Sequence, residues 1–327
     1  MRNEIQSRTE QAIREKVFPG CVIGFVKKSG DREMFPFGKL TYEPDSPKVV
    51  GDTVYDLASV TKSIPVASLA LTFIAEEKLQ LTDKVTNYIP ELQNDYGATI
   101  QDILTYRVRG TRLSELSHRT CEEVRMHILE HGFDGPAGER VYTNLPAYVL
   151  GLVLERVGGG SLAELSHRYF FEPLKMESTT FFPSPSDCAP TEIIEGEEIC
   201  GVVHDESARV FSRARRTVGH AGLFSTAPDI LHFLESLLQG VHPAIVEGGQ
   251  RGLGWQKAEA WFMGERWSEG AFGKTGFTGT SVAVDFRRGI ALVILSNRTY
   301  PQRPADAASI HSAINNFRAD TADLILR

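Results

Sequence analysis

The sequence predicts a mixed α/β (α+β) protein, an antiparallel sheet flanked by helices with an all-helical domain inserted into it. Three observations carry this. Paired strand patterns stand near both ends of the chain, a helix pattern flanks each pair on its terminal side, and the long middle carries apolar residues at helical spacing. With 327 residues, 42% of them hydrophobic and 24% charged, the chain can bury one large core or two moderate ones.

The first segment, MRNEIQSRTEQAIREKVF, mixes both charge signs through an amphipathic helix. It lacks the apolar middle of a secretory signal, so a cytoplasmic protein is expected. GCVIGFVKKSGDREMFPFG then reads as two strands around a Lys-Lys-Ser-Gly-Asp turn. Near the other end TSVAVDFRRGIALVILSN repeats that design, with Arg287, Arg288 and Gly289 at the turn. PADAASIHSAINNFRADTADLIL regains helical spacing after Pro304, and the two strand pairs are expected to share one antiparallel sheet.

Between them VASLALTFIAEEKL, CEEVRMHILEHG, LPAYVLGLVLERVG and SLAELSHRYFFEPL carry apolar residues three and four apart. This divides the chain into a sheet domain, residues 1–58 and 217–327, and a mainly helical domain, residues 59–216, with the active site in the cleft between them. Pro65, several residues into the first of these helices, predicts a bend. FPSPSDCAPTEIIEGEEICGVVHDE shows no period and is expected to cross the surface or cover the cleft. STAPDILHFLESLL carries a helix start, with Thr226 as N-cap, Pro228 in the first turn and Asp229 three residues after the cap.

Composition excludes several functions. A net charge of -7 argues against a general nucleic-acid binder, and Arg213, Arg215 and Arg216 read as a solvated loop or a local anion contact. The longest apolar run, IPVASLALTFIA, is short of the roughly 20 residues a membrane span needs and reads as a buried helix. Cys21, Cys121, Cys188 and Cys200 form no close-spaced metal motif and are expected to be free thiols. His127 and His131 lie four apart, but Ile128 stands where a zinc protease would place its glutamate. Neither a metal nor a cofactor is expected.

Three short patterns, each occurring once, carry the chemistry: Ser59 and Lys62 as S-x-x-K, Tyr142 and Asn144 as Y-x-N, and Lys274, Thr275 and Gly276 as K-T-G. Singly they have ordinary readings, an N-cap, a turn before a helix and a strand end. Their joint presence, order and separation match the signature of penicillin-recognising serine enzymes, in which the middle element also occurs as Ser-Asp-Asn. With VYDLASVTK, GPAGERVYTNLPAYVLGLVLERVGG, FFEPLKMESTTFF, GHAGLFSTAPDI, GLGW and GFTGTS, the chain resembles the β-lactamase-related serine hydrolases. The Tyr-x-Asn element is similar to the class C β-lactamase and D-peptidase branch. That resemblance implies the same fold: a helical domain beside an antiparallel sheet with helices on its faces.

A serine hydroxyl needs a base to remove its proton, and Lys62, three residues along a helix, lies on the face of Ser59. Ser59 is therefore the expected nucleophile. Either Lys62, aided by burial, Lys274 and the positive helix end, or Tyr142, drawn towards phenolate by two flanking ammonium groups, can serve as base. Asn144 would donate to a substrate carbonyl and accept from Lys62. The resemblance implies an oxyanion hole from the backbone N–H groups of Ser59 and Phe277. Lys274 and Thr275 would meet a substrate carboxylate, and Gly276 would admit a substrate backbone to the strand edge.

Three stretches depart from relatives. ILTYRVRGTRL replaces a Leu-Leu-Thr-His-Thr-Ser-Gly-Leu loop bordering the acyl side of the cleft, so Arg107, Arg109 and Arg112 are candidates for selecting an acidic acyl group. Lys274 stands where this sub-branch often has histidine, which favours peptide-like or β-lactam-like substrates over plain esters. Arg215, Arg216 and Thr217 replace glycines ahead of GHAGLFSTA, whose His220 is a candidate cleft residue or a buried structural one. The expected function is cofactor-independent hydrolysis of a small-molecule or short-peptide ester or amide through an acyl-enzyme. The alternative is a penicillin-binding or scaffold protein of the same fold that acylates without turnover or is inactive.

Overall fold

CVIGFV has no charged or strongly polar residue to turn towards water, so its strand must be covered on both faces. In the computed structural model, which describes residues 1–303 and 307–327, β1 (Gly20–Lys27) is buried throughout except for Lys27. Both its neighbours are antiparallel: β2 (Arg32–Gly38), which completes the first hairpin, and β10 (Ile290–Ser296) from the far end of the chain. Cys21 lies opposite Ser296 and Lys27 opposite Ile290, so the chain ends meet in one sheet. The sheet continues through β9 (Ser281–Asp285), which completes the second hairpin, β8 (Phe272–Thr275) and β7 (Gln256–Lys257), in the order β2-β1-β10-β9-β8-β7. Pro36 is accommodated because β2 is an edge strand.

Alternate β1 side chains face opposite sides. Cys21, Ile23 and Phe25 form one core with Ile5 of α1 (Arg2–Arg14) and with Ile314 and Phe317 of α11 (Ala307–Ile325). Pro304, which heads the last helix pattern, lies outside the described residues. Val22 and Val26 join the second and larger core beneath α8 (Ala227–Leu238). Thr226 caps α8 by accepting from Asp229 N at 3.4 Å. The Asp229 carboxylate does not return to the cap; it accepts from Ser178 N and Thr179 Oγ1, tying the helix start to a neighbouring segment.

The larger core runs without interruption into the helices of the middle region: α2 (Ser68–Ala75), α3 (Ile100–Leu104), α4 (Cys121–His131), α5 (Leu145–Gly158), α6 (Leu162–Ser166) and α7 (Glu206–Arg213). Thr99, Thr120 and Ser161 start α3, α4 and α6 with reciprocal bonds to an acidic residue three positions on. The helices α9 (Pro243–Arg251) and α10 (Ala260–Met263) return the chain to the sheet.

Three features differ from the sequence pattern. The apolar run from Ser59 is not one helix: Ala58–Lys62 form a 3₁₀ turn, Ile64 is extended (φ -112, ψ 110) ahead of Pro65, and α2 begins at Ser68. Residues Ala58–Ala75 together have the length and hydropathy of a membrane span, yet 78% of the segment is buried inside the protein. The aperiodic loop holds a hairpin, β4 (Glu192–Ile194) and β5 (Glu197–Ile199), turned at Glu195 and Gly196, both at positive φ. Finally, β3 (Tyr55–Asp56) pairs with β6 (Phe224–Ser225), strands too short to show a period.

Candidate active site

The approach to Ser59 is fixed by Asp56, whose buried carboxylate accepts from Ala58 N (2.8 Å) and His204 N (2.7 Å). Ala58 is held at φ +47, a left-handed conformation that costs about 1 kcal/mol or more for a residue with a Cβ. The turn behind it places residues three apart nearly in register. Lys62 Nζ accordingly donates to Ser59 Oγ at 2.8 Å and to the His220 carbonyl at 2.6 Å, while the lysine is only 1% exposed. Ser59 stands at the start of only a short helical turn, interrupted at Ile64 before α2, and Lys62 Nζ is positioned by these two hydrogen bonds.

Lys274 and Thr275 end β8, a strand the sequence pattern did not mark, and Gly276 opens the turn to β9. That turn is fastened to the Ser59 approach by Thr278 Oγ1 donating to Asp56 O (2.7 Å) and Thr280 Oγ1 to Leu57 O (2.9 Å). A Cβ on Gly276 would lie 2.1 Å from Thr280 Oγ1 and 2.4 Å from Leu57 O, so only glycine fits. Ser59, Tyr142, Thr275, Gly276 and Phe277 thereby line one cavity of about 320 Å³. Beyond Gly273 the β8 edge pairs with no residue of β7; the Gln256 side chain accepts from Thr275 N there.

Tyr142 stands just before α5 with its ring half exposed. Lys274 Nζ lies 4.5 Å and Lys62 Nζ 5.5 Å from the ring centroid. Burial of the hydroxyl opposes its ionisation, but the Lys274 and Lys62 ammoniums, aided by Ser59, outweigh it and lower the phenol to about 8. Lys274 is fully buried, which lowers it to about 8 against the pull of the phenol; Lys62 adds to the lowering. Its Nζ lies also 5.1 Å from the ring of Tyr106, a buried residue at φ 58 that the sequence motifs did not flag.

Asn144, the N-cap residue of α5, donates to Asp205 Oδ2 (3.1 Å), and the hydrogen bonds of Lys62 go elsewhere, so the expected Lys62–Asn144 bond is replaced. Asp205 caps α7 through Ser207 N and Ala208 N and lies 3.5 Å from His220 Nε2. Burial would raise its carboxyl, but His220, Ser207 and Lys62 hold it well below the usual carboxylate range. His220 is wholly buried against Ser207 and Asp205 rather than open to the cavity, and contributes its carbonyl to Lys62. Asp205 lies near the end of the stretch read from the sequence as aperiodic, and no sequence motif marked it.

Arg107, Arg109 and Arg112 do not line the cavity. Arg107 donates to Gly138 O, and the loop acts through its backbone: the carbonyls of Tyr106, Arg107 and Arg109 accept from Val141, Gly138 and Asp134, holding the strand of chain that ends in Tyr142. The arginines at the cavity are Arg140, Arg298 and Arg318. Arg298 and Arg318 are 5% and 3% exposed, and no carboxylate neutralises either among the described residues. Burial lowers Arg298 to about 10 and, with Arg298 close by, Arg318 to about 9. Arg298 donates to Phe277 O; Arg318 donates to Gly276 O and Thr280 O, and its buried Nε has no partner among the described residues. Among the described residues no cluster of three His, Cys, Asp or Glu side chains could hold a metal ion.

The chain is 25% identical to an N-acetylmuramyl-L-alanine amidase of Bacillus subtilis (strain 168), over 90% of this chain and 81% of that protein. It is 27% identical to a putative D-alanyl-D-alanine carboxypeptidase of Escherichia coli (strain K12), over 77% and 71%. Similar solved folds include a class C β-lactamase from Rhodobacter sphaeroides (TM-score 0.71, 19% identity, 99% and 100% of the two chains) and EstCE1, a hydrolase with promiscuous acyltransferase activity (0.71, 19%, 96% and 97%). The family model described as Beta-lactamase matches residues 9–314, nearly the whole chain. The chain therefore belongs to the Beta-lactamase family, and it is a serine hydrolase.

Proposed function

We propose that this hydrolase cleaves an ester or amide bond in a small or peptide-like substrate bearing a carboxylate, by way of an acyl-enzyme on Ser59. The observation that carries it is the Ser59 hydroxyl bonded to a buried ammonium beside a phenol lowered to about 8. Tyr142, as phenolate, accepts the Ser59 proton as Oγ bonds to the substrate carbonyl carbon. Lys62 directs Oγ and offsets the charge that develops. The Ser59 and Phe277 N–H groups receive the oxyanion. Its collapse breaks the bond to the leaving group, which takes the proton from Tyr142, and water cleaves the acyl ester by the same steps with the same base. Arg298 and Arg318 present to the cavity positive charge that no carboxylate among the described residues neutralises, with Lys274 buried beside Tyr142, and this favours a substrate carboxylate. The relatives named as an amidase and a carboxypeptidase support an amide and a terminal carboxylate in the substrate.

The test is mass spectrometry of the protein after exposure to a fluorophosphonate and, separately, a penicillin. Both adducts are expected on the peptide containing Ser59; a fluorophosphonate adduct on another residue, or none, overturns the assignment. Continuous release of p-nitrophenol from short-chain esters is expected, whereas one equivalent followed by arrest identifies an acyl trap.

A further inference from the structure

A second cavity, of about 500 Å³, lies between α5, the start of α6 and the segment following α7, and shares no lining residue with the cavity at Ser59. That volume is in the range of small-molecule sites. Four guanidiniums, Arg125, Arg156, Arg215 and Arg216, face two carboxylates, Glu91 and Glu155, on its wall. Arg156 pairs with Glu91; Arg125 and Arg216 lie 3.7 and 3.3 Å from Glu122. Glu155 accepts from Leu162 N.

Arg215 has no carboxylate partner among the described residues and lies over the Phe182 ring, 4.2 Å from its centroid. Its backbone is at φ 56, a conformation that glycine adopts freely and arginine does not. An exposed arginine is thus held in a strained position at the cavity rim with its charge uncompensated. Inside, Tyr148 is 1% exposed and its hydroxyl has no hydrogen-bond partner among the described residues. Tyr148 is itself one of the residues that line the cavity, as are Arg125 and Glu155. A buried hydroxyl left unpaired is costly unless something else meets it. Leu152 and Phe211 supply an apolar lining.

We propose that this cavity binds a small organic carboxylate, its charged end at Arg215, its apolar body against Leu152 and Phe211, and its inner end at the Tyr148 hydroxyl. The site is separate from the reaction at Ser59 and does not depend on the function proposed above.

Titration calorimetry on the whole chain with 4-phenylbutanoate, and with 4-phenylbutanamide as neutral counterpart, tests it. One acid molecule is expected per chain, with the amide at least about tenfold weaker because it cannot form the Arg–carboxylate pair. Arg215→Gly removes the charge and relaxes the backbone, so the variant folds, and is expected to lose a similar factor. Leu152→Trp, at a partly exposed position, fills the lining and is expected to abolish binding. No binding at millimolar ligand, equal affinity for acid and amide, or acid binding unchanged in both variants, as for a ligand seated at Ser59, would overturn the proposal.

Discussion

A tyrosine hydroxyl ionises near 10 in water, so about one in a thousand is charged at pH 7. At about 8 the fraction of Tyr142 ionised at pH 7 rises to about one in ten, enough for a working base. The proposed base acts ionised, so with Tyr142 in that role kcat/KM is expected to rise about tenfold per unit as pH climbs towards 8 and then level off. Tyr142→Phe should lower kcat/KM by about 10² to 10⁴-fold and remove that rise. Lys274→Met deletes the strongest charge favouring the phenolate, so the rise should move towards 10. For carboxylate substrates the wild-type profile should also fall above about 8, where Lys274 loses its proton, and this fall should vanish in Lys274→Met. pH–rate profiles on one acidic and one neutral ester check all three outcomes. Ser59, Lys62, Tyr142 and Lys274 were legible as residues because each sits in a short motif. Tyr106 and Asp205 were not, since a lone aromatic and a lone acid carry no local pattern.

At the level of elements, the turn between β8 and β9 fastens the site together, and the hairpin β4–β5 carries the buried Glu192 and its ion pair with Arg303. Gly276→Ala brings a methyl against the Leu57 carbonyl, a backbone atom that cannot swing aside. It is expected to cost at least about tenfold in kcat/KM, as for a small misplacement of reacting groups, while circular dichroism stays native. Glu192 in β4 is bound by Arg303 and lies 3.1 Å from His204 Nε2. Burial raises its carboxyl, but His204 and Arg303 prevail and lower it to about 2. Its folded value lies below the ordinary 4.5, so its stabilisation is complete above that pH and is lost as pH falls towards 2. Urea midpoints between pH 6 and 2.5 should fall less steeply in Glu192→Gln than in wild type. The two long hairpins were readable because their strands outlast several alternations; a three-residue strand offers at most one.

Across the whole molecule, Arg298 from beyond β10 and Arg318 from α11 bring positive charge to one cavity from separate elements, and Lys274 of β8 lies buried against Tyr142 on its wall. The arginines that line this cavity are thus Arg140, Arg298 and Arg318, and not Arg107, Arg109 and Arg112 of the loop. Arg318→Met is expected to raise KM for an acidic substrate by about tenfold or more, in line with a charged hydrogen bond, and to change KM for a neutral ester little. Equal rises in both would dismiss a carboxylate at this arginine. Steady-state kinetics on the matched pair decides it.

Local pattern alone determined the strand pairs, most helices and the three motifs, because alternation, helical spacing and motif chemistry depend on residues close along the chain. Only the tertiary structure decided that the Ser59 segment breaks before α2, that His220 lends a carbonyl, that Asn144 turns to Asp205, and which arginines line the cavity. Those outcomes are set by contacts between distant segments, whose desolvation and charge no stretch of sequence contains.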